Sequence, residues 1–144
     1  MASGLYANYK ALALGGGTGA FVDLPTDTIH CGIVSGADYT ENLATHQDWD
    51  DVGTYAITTC YNSEATQALG AKTTTGGVFD NTADITFTAV AIDGAKDVDA
   101  LVHFKSSGVI TTDMLICFHD GFTAVTPNGG DIVVAYNASG IFAL

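Results

Sequence analysis

Short runs of β-branched and aromatic residues, bounded by glycine, asparagine, aspartate and serine, recur along most of this chain. Within residues 84–92, Ile85 and Phe87 alternate with Thr86 and Thr88, which is the period-2 pattern of a half-buried strand. Similar runs occupy residues 28–34, 54–61, 100–105, 114–119, 131–136 and 141–144. No segment with a long helical period interrupts them. The sequence therefore predicts a single all-β domain, either an antiparallel β-sandwich or a jelly-roll-like fold.

The same pattern predicts the core and the organisation of the chain. Residues 1–27 are expected to form an N-terminal arm or extension that packs on the domain or on a partner, and residues 28–144 the β-sandwich domain. Residues 38–49 have no period-2 pattern and are expected to form a long ordered loop. The Pro-Asn-Gly-Gly sequence at 127–130 predicts a tight reversal between the runs at 114–119 and 131–136. The predicted core residues are Ile29, Ile33, Ile57, Phe87, Leu101, Leu115, Ile132, Val134 and Phe142.

The charge balance excludes two classes of partner. The chain has 16 acidic residues against 4 lysines, no arginine, and a formal net charge of −12. Binding a nucleic acid or an anionic membrane surface requires clustered cations, so neither partner is expected. Only 14% of residues are charged, against about 25% in ordinary soluble domains. Either much of the surface is buried against partners, or the surface is rich in uncharged Thr, Ser and Asn.

Three motifs suggest cofactor or metal chemistry but lack its full pattern. The glycines of residues 15–19 are not followed by the Lys-Ser/Thr of a phosphate-binding loop. The acidic residues 48–51 lack the order and the closing Glu of a calcium loop, so a solvated acidic loop is preferred over a bound cation. The histidines and cysteines show no zinc-finger spacing, and Cys117 and His119, which share one strand face, are the single suggestive pair. We therefore expect no metal and no cofactor.

Catalysis and disulfide bonding are not expected either. No Gly-x-Ser-x-Gly elbow occurs, and no carboxylate pair is recognisable as that of a glycosidase. Three widely spaced cysteines do not make a disulfide framework, so we expect reduced, structural thiols. The N-terminal residues lack a basic start followed by an apolar block, which predicts synthesis and folding in a cytoplasm. The sequence predicts a protein that binds and assembles and is not an enzyme.

Several segments resemble a family of short virion structural proteins of tailed bacteriophages. The resemblance covers roughly residues 28–144, and its most specific parts are Asn-Leu-Ala-Thr-His at 42–46 and Gly-Ile-Phe-Ala-Leu at 140–144. It implies a virion location and a structural role, with capsid decoration or cementing of the head shell as the first expectation. A tail or head–tail connector component is the alternative within this class, and a carbohydrate-binding or hydrolytic β-domain is the alternative of another class.

The resemblance also implies partners. We expect the chain to bind the major capsid protein and to form a homo-oligomer, with a trimer favoured over a dimer. Apolar and aromatic residues outside the predicted strands would be costly to expose to water, and they are the candidate interaction residues. They are Leu5, Tyr6, Tyr9 and Leu12 in the N-terminal stretch, and Tyr39 and Trp49 in the long loop.

Overall fold

A computed structural model of the chain describes residues 3–17, 19–57 and 66–144. Those residues are mostly strands, with one short helix, α1 (Ala7–Ala13). The helix is preceded by β1 (Gly4–Leu5), and two short 3-10 turns, Trp49–Asp51 and Gly53–Tyr55, follow the long loop. The remaining strands are β2 (Ile29–Val34), β3 (Thr66–Ala68), β4 (Lys72–Thr75), β5 (Val78–Asn81), β6 (Ile85–Phe87), β7 (Ala100–Lys105), β8 (Met114–His119), β9 (Ile132–Val134) and β10 (Phe142–Ala143).

The strands form antiparallel sheets, which confirms the all-β prediction. The largest sheet has five strands in the order β1-β8-β7-β2-β3. A three-stranded sheet, β10-β5-β4, and a two-stranded sheet, β6-β9, complete the fold. The finer arrangement as a sandwich or a jelly roll stays a prediction.

The register around β7 decides which side chains share each face of the large sheet. His103 lies opposite Cys31 on β2 and Cys117 on β8. Because side chains alternate along a strand, these three residues share one face, and their neighbours in sequence point to the other. A β-bulge between His103 and Phe104 inserts one residue into β8, a feature that bends a strand and increases its twist.

The long loop covers the opposite face of this sheet by inserting Trp49. The Trp49 ring stacks on Phe104, with centroids 4.5 Å apart and planes 20° from parallel. A Cβ atom on Gly32 would lie 2.3 Å from Cη2 of Trp49, so only glycine leaves room for the indole. Tyr39, from the same loop, contacts Phe118 with ring centroids 5.7 Å apart. The loop is therefore a layer of the core.

The N-terminal segment is also part of the core. β1 pairs with the free edge of β8, and Tyr6, Tyr9 and Leu12 are buried beneath the helix while Leu5 packs partly buried against them. The Tyr6 hydroxyl lies 3.0 Å from the Tyr39 hydroxyl. Tyr6, Tyr9 and Leu12 are thus covered by the chain's own domain, whereas Leu14 and Phe21 are exposed.

Two local predictions are wrong. Residues 54 and 55 of the predicted strand 54–61 lie in the 3-10 turn Gly53–Tyr55, while the part of that run from residue 58 onward lies outside the described residues. The turn at 127–130 does not join β8 to β9, because β8 pairs with β1 and β7 whereas β9 pairs with β6. The backbone of Gly129 and Gly130 instead exchanges hydrogen bonds with Val90, at 2.7 and 2.8 Å, which extends the β6–β9 pairing.

The predicted core divides into two groups. Five residues are buried, namely Ile29, Ile33, Ile57, Phe87 and Leu115. The other four are partly buried and pack against the core, namely Leu101, Ile132, Val134 and Phe142. Ile132, Val134 and Phe142 lie on strands of two or three residues, whereas Leu101 lies on the central strand β7 and lines a surface groove.

Replacing Gly32 by alanine should destabilise the protein, because the added methyl group overlaps the Trp49 indole. Overpacking of this kind costs about 1–3 kcal/mol of unfolding free energy, measurable by urea denaturation. Gly70→Ala is the matched control, since a Cβ there meets nothing within 4 Å. Equal stability losses in the two variants would show that Trp49 does not occupy this position.

Replacing Tyr9 by alanine should also destabilise the domain, because the Tyr9 ring is buried and meets Phe142 edge-on at 5.7 Å. Truncating a buried aromatic residue costs about 3–5 kcal/mol. Lys10→Ala, on the exposed side of the same helix, should change the unfolding free energy by less than about 0.5 kcal/mol. A Tyr9→Ala protein as stable as the Lys10→Ala protein would mean that the N-terminal segment is a detached arm.

Candidate functional site

The sheet register brings three potential metal ligands together. His103 on β7 lies opposite Cys117 on β8, and His119 follows two residues later on the same face. The two imidazole rings stand nearly perpendicular, at 88°, with centroids 5.5 Å apart. One ligand atom from each of the three residues lies within 4.8 Å of the others, and in the described part of the chain no other group of three His, Cys, Asp or Glu residues converges in this way.

The cluster is buried and incompletely hydrogen-bonded. His103 and Cys117 are each 1% exposed. The Nε2 atom of His103 lies 3.0 Å from the Tyr136 hydroxyl. By contrast, His103 Nδ1 and His119 Nε2 are buried with no hydrogen-bond partner in the described protein. Leaving a buried polar atom unpaired costs about 1–3 kcal/mol, so this cluster requires an explanation.

Burial keeps the three side chains uncharged at neutral pH. Desolvation, together with the nearby His119, lowers the pKa of His103 to about 3. Desolvation also lowers the pKa of His119, against the opposing effect of Asp120. For Cys117, desolvation and the neighbouring Cys31 raise the thiol pKa well above its usual range. The cluster thus presents two neutral imidazoles and a thiol.

A small cavity of about 130 Å³ adjoins the cluster. His103 and His119 line it from the sheet, and Tyr136 and Gly140 line it from the C-terminal segment. Cys117 lies opposite His103 in the sheet register and is not among the residues that line this cavity. The cavity therefore borders two of the three residues of the cluster.

A larger apolar groove lies beside this cavity. Its volume is about 270 Å³, and it is lined by Leu101, Phe122, Val125, Ile132, Val133 and Val134. Val133 is 56% exposed, and Phe122 and Val125 are also exposed. Leu101 and Val134 line both the groove and the cavity, so the two features are neighbours. A groove lined by exposed apolar side chains is a candidate contact site for another molecule.

The predicted interaction residues lie elsewhere. Trp49 is 7% exposed and Tyr39 1% exposed, so these two side chains form no aromatic platform on the surface. The Tyr39 hydroxyl bonds both the Tyr6 hydroxyl and His46 Nδ1, the latter at 2.8 Å. These aromatic residues therefore hold the long loop and the N-terminal segment against the sheet.

The acidic loop and the glycine run have structural roles in the described residues. The Asp51 carboxylate accepts hydrogen bonds from the Gln47 and Asp48 amides, at 2.8 and 3.4 Å, and so caps the 3-10 turn. The glycine run follows the C-terminus of α1, where the Gly15 and Gly16 amides bond helix carbonyls at 3.0 and 2.7 Å. Phosphate groups bind at helix N-termini. The glycine run lies instead at the C-terminus of a helix, where its described residues end the helix.

Three of the four lysines contact carboxylates or backbone carbonyls of the domain. Lys105 pairs with the Asp27 carboxylate at 2.7 Å and donates to the Phe21 carbonyl at 3.1 Å. Lys72 donates to the Asp27 carbonyl, and Lys96 pairs with Asp93 at 3.7 Å. Lys72 and Lys105 together hold the segment that precedes β2.

Comparisons with known proteins found no match: no protein-family model, no curated protein and no solved structure matches this chain. Among the helices that the structure describes, none has the length and apolar character needed to cross a lipid bilayer.

Sequence reasoning found two members of the cluster and missed the third. Cys117 and His119 are two residues apart on one strand, so their shared face can be read from the sequence. His103 lies on another strand, and only the pairing of β7 with β8 places it beside them. The sequence does not identify the groove, because Phe122 and Val125 lie in the loop after β8 whereas Val133 lies on β9.

Replacing Lys105 by methionine should lower stability in a pH-dependent way. Partial burial opposes ionisation of Asp27, but the hydrogen bond from Lys105 holds the pKa of that carboxyl below its usual range. A lowered folded pKa contributes stability that is present above the unfolded value of about 3.9 and is lost as pH falls through the folded pKa.

We therefore expect Lys105→Met to cost up to about 1 kcal/mol of unfolding free energy at pH 7, and less in strong acid. Urea denaturation at neutral and acidic pH measures the difference. If the wild type and Lys105→Met still differed by the same unfolding free energy at a pH where Asp27 is protonated, the ion pair would not be the source of that difference.

Proposed function

We propose that this chain is a structural protein of a tailed-phage virion, one that decorates and cements the capsid shell and catalyses no reaction. The resemblance of residues 28–144 to short phage virion proteins supports this proposal. The observation that carries it is the apolar groove beside β9, because a protein that attaches to a shell in many copies needs an exposed contact surface.

The groove has the chemistry expected for docking to a protein partner. Its exposed residues are apolar, in a chain whose formal net charge is −12. Burying apolar area contributes about 25 cal/mol per Å², and that contribution is insensitive to salt. The proposed partner is the major capsid protein. The acidic remainder of the surface would repel packaged DNA and its phosphates.

Self-association is the second part of the proposal. Most homo-oligomers have closed symmetry, and decoration at threefold positions makes a trimer the first expectation and a dimer the next. An apolar contact suits two copies of an acidic chain, because charged faces of the same sign would repel each other.

Two alternatives make different predictions. A head–tail connector would use a similar contact surface at the neck, in few copies. A carbohydrate-binding domain needs exposed aromatic side chains for stacking on sugars, and burial of Trp49 and Tyr39 removes the pair that favoured this alternative.

Val133→Glu tests the proposal against a matched control, Val109→Glu. The two valines are 56% and 55% exposed, but only Val133 lines the groove. Each purified variant is added to phage particles that lack this chain, and attachment is measured by co-sedimentation and located by cryo-imaging. We expect the wild type and Val109→Glu to cover the shell, and Val133→Glu to bind about tenfold more weakly or worse, which corresponds to about 1.4 kcal/mol.

Other outcomes would contradict parts of the proposal. Density confined to the neck or tail would favour the connector alternative. Equal attachment of the two variants would show that the groove is not the docking surface. A wild-type protein that binds no particle would overturn the decoration role.

A further inference from the structure

We propose that His103, Cys117 and His119 form a binding site for a single thiophilic transition-metal ion, with Zn²⁺ as the first candidate. This site is separate from the groove, and the proposal does not depend on a virion role.

The donor set is the first argument. Imidazole nitrogen and thiolate sulfur are the two ligand types that Zn²⁺ prefers in proteins. Hard cations such as Ca²⁺ and Mg²⁺ take oxygen ligands, and none of the three residues supplies one. Two histidines and one cysteine therefore favour zinc, and they also suit copper.

The geometry is the second argument. Zinc lies about 2.0–2.3 Å from nitrogen and sulfur ligands, which places tetrahedral ligand atoms about 3.3–3.8 Å apart. The three ligand atoms here lie within 4.8 Å of one another. Side-chain rotations that bring these atoms about 1 Å closer together would therefore complete the site. The residues lie on two adjacent, well-paired strands, so the backbone can stay in place.

The unpaired nitrogens are the third argument. His103 Nδ1 and His119 Nε2 are buried without a hydrogen-bond partner, and coordination would satisfy both. When the Tyr136 oxygen accepts the proton on His103 Nε2, the lone pair is left on Nδ1. A metal-bound histidine commonly has its other ring nitrogen held by such a hydrogen bond, so Tyr136 is a positioning residue.

Metal entry and proton balance are consistent with the surroundings. The 130 Å³ cavity reaches both histidines and leaves room for a water molecule as a further ligand. The neutral imidazoles bind without losing a proton. Cys117 binds as a thiolate, so its thiol proton is released to solvent as the metal–sulfur bond forms.

Cobalt substitution tests the site directly. Co²⁺ is titrated into the full-length, metal-stripped protein, and the thiolate-to-cobalt charge-transfer band and the visible bands of tetrahedral Co²⁺ are recorded. We expect saturation at one ion per chain, displacement by Zn²⁺, and a rise in Tm when Zn²⁺ is added. Cys117→Ser and His119→Gln should each lose the charge-transfer band or weaken it severely.

The other cysteines are the matched controls. Cys31 is also a buried free thiol and lies across β7 from Cys117. Cys31→Ser and Cys60→Ser should keep the band. Far-ultraviolet circular dichroism checks that each variant is folded, and because His119 is only partly buried, His119→Gln remains informative if Cys117→Ser unfolds.

Two results would overturn the proposal. One is a folded wild-type protein that shows no charge-transfer band at excess Co²⁺ and no change in Tm with Zn²⁺. The other is a band that persists in folded His119→Gln and Cys117→Ser but disappears in Cys31→Ser or Cys60→Ser.

Discussion

The antiparallel pairing of β7 with β8 and with β2 is the constraint on which most of this structure depends. A shift of one residue would move every side chain of a strand to the opposite face of the sheet. In the observed register, one face receives the Trp49 indole above Gly32 and Phe104. The other face collects Cys31, His103 and Cys117 in a line. Both the long-loop layer and the His–Cys cluster therefore follow from one alignment of three strands.

The sequence predicted the long strands of this sheet better than its short edge strand. The bounds of β7 and β8 match the predicted runs, and β2 starts one residue later than its predicted run. This agreement arises because apolar runs bounded by turn residues carry a local strand signal. β1 has two residues and depends on pairing with β8, so nothing local identifies it. The residue types at 127–130 predict a reversal between β8 and β9, which is wrong, because the partner of Gly129 and Gly130 is Val90, about 40 residues earlier in the chain. The sequence also does not identify the whole His–Cys cluster, because residue spacing does not reveal that the strand of His103 pairs with the strand of Cys117 and His119.

The distribution of charge and apolar surface connects the fold to the proposed role. Lysines that bind carbonyls and carboxylates within the domain cannot serve as an extended cationic surface. Exposed Lys10 is separate from these lysines, and the groove beside β9 adds an apolar surface to the acidic exterior. A partner is then recognised mainly by shape and apolar area. Leu101 and Val134 line both this groove and the cavity beside the proposed metal site. Metal binding that made β7 and β8 more rigid would therefore also make the groove more rigid.

The register of β7 against β8 can be measured directly by nuclear Overhauser contacts between backbone protons of the two strands in the isotope-labelled protein. The account predicts cross-strand contacts that pair His103 with Cys117 and Leu101 with His119, and that pair Phe104 with Leu115 beyond the bulge. A register displaced by one residue would contradict it, because His103 would then face the Trp49 layer and the three ligands would no longer meet.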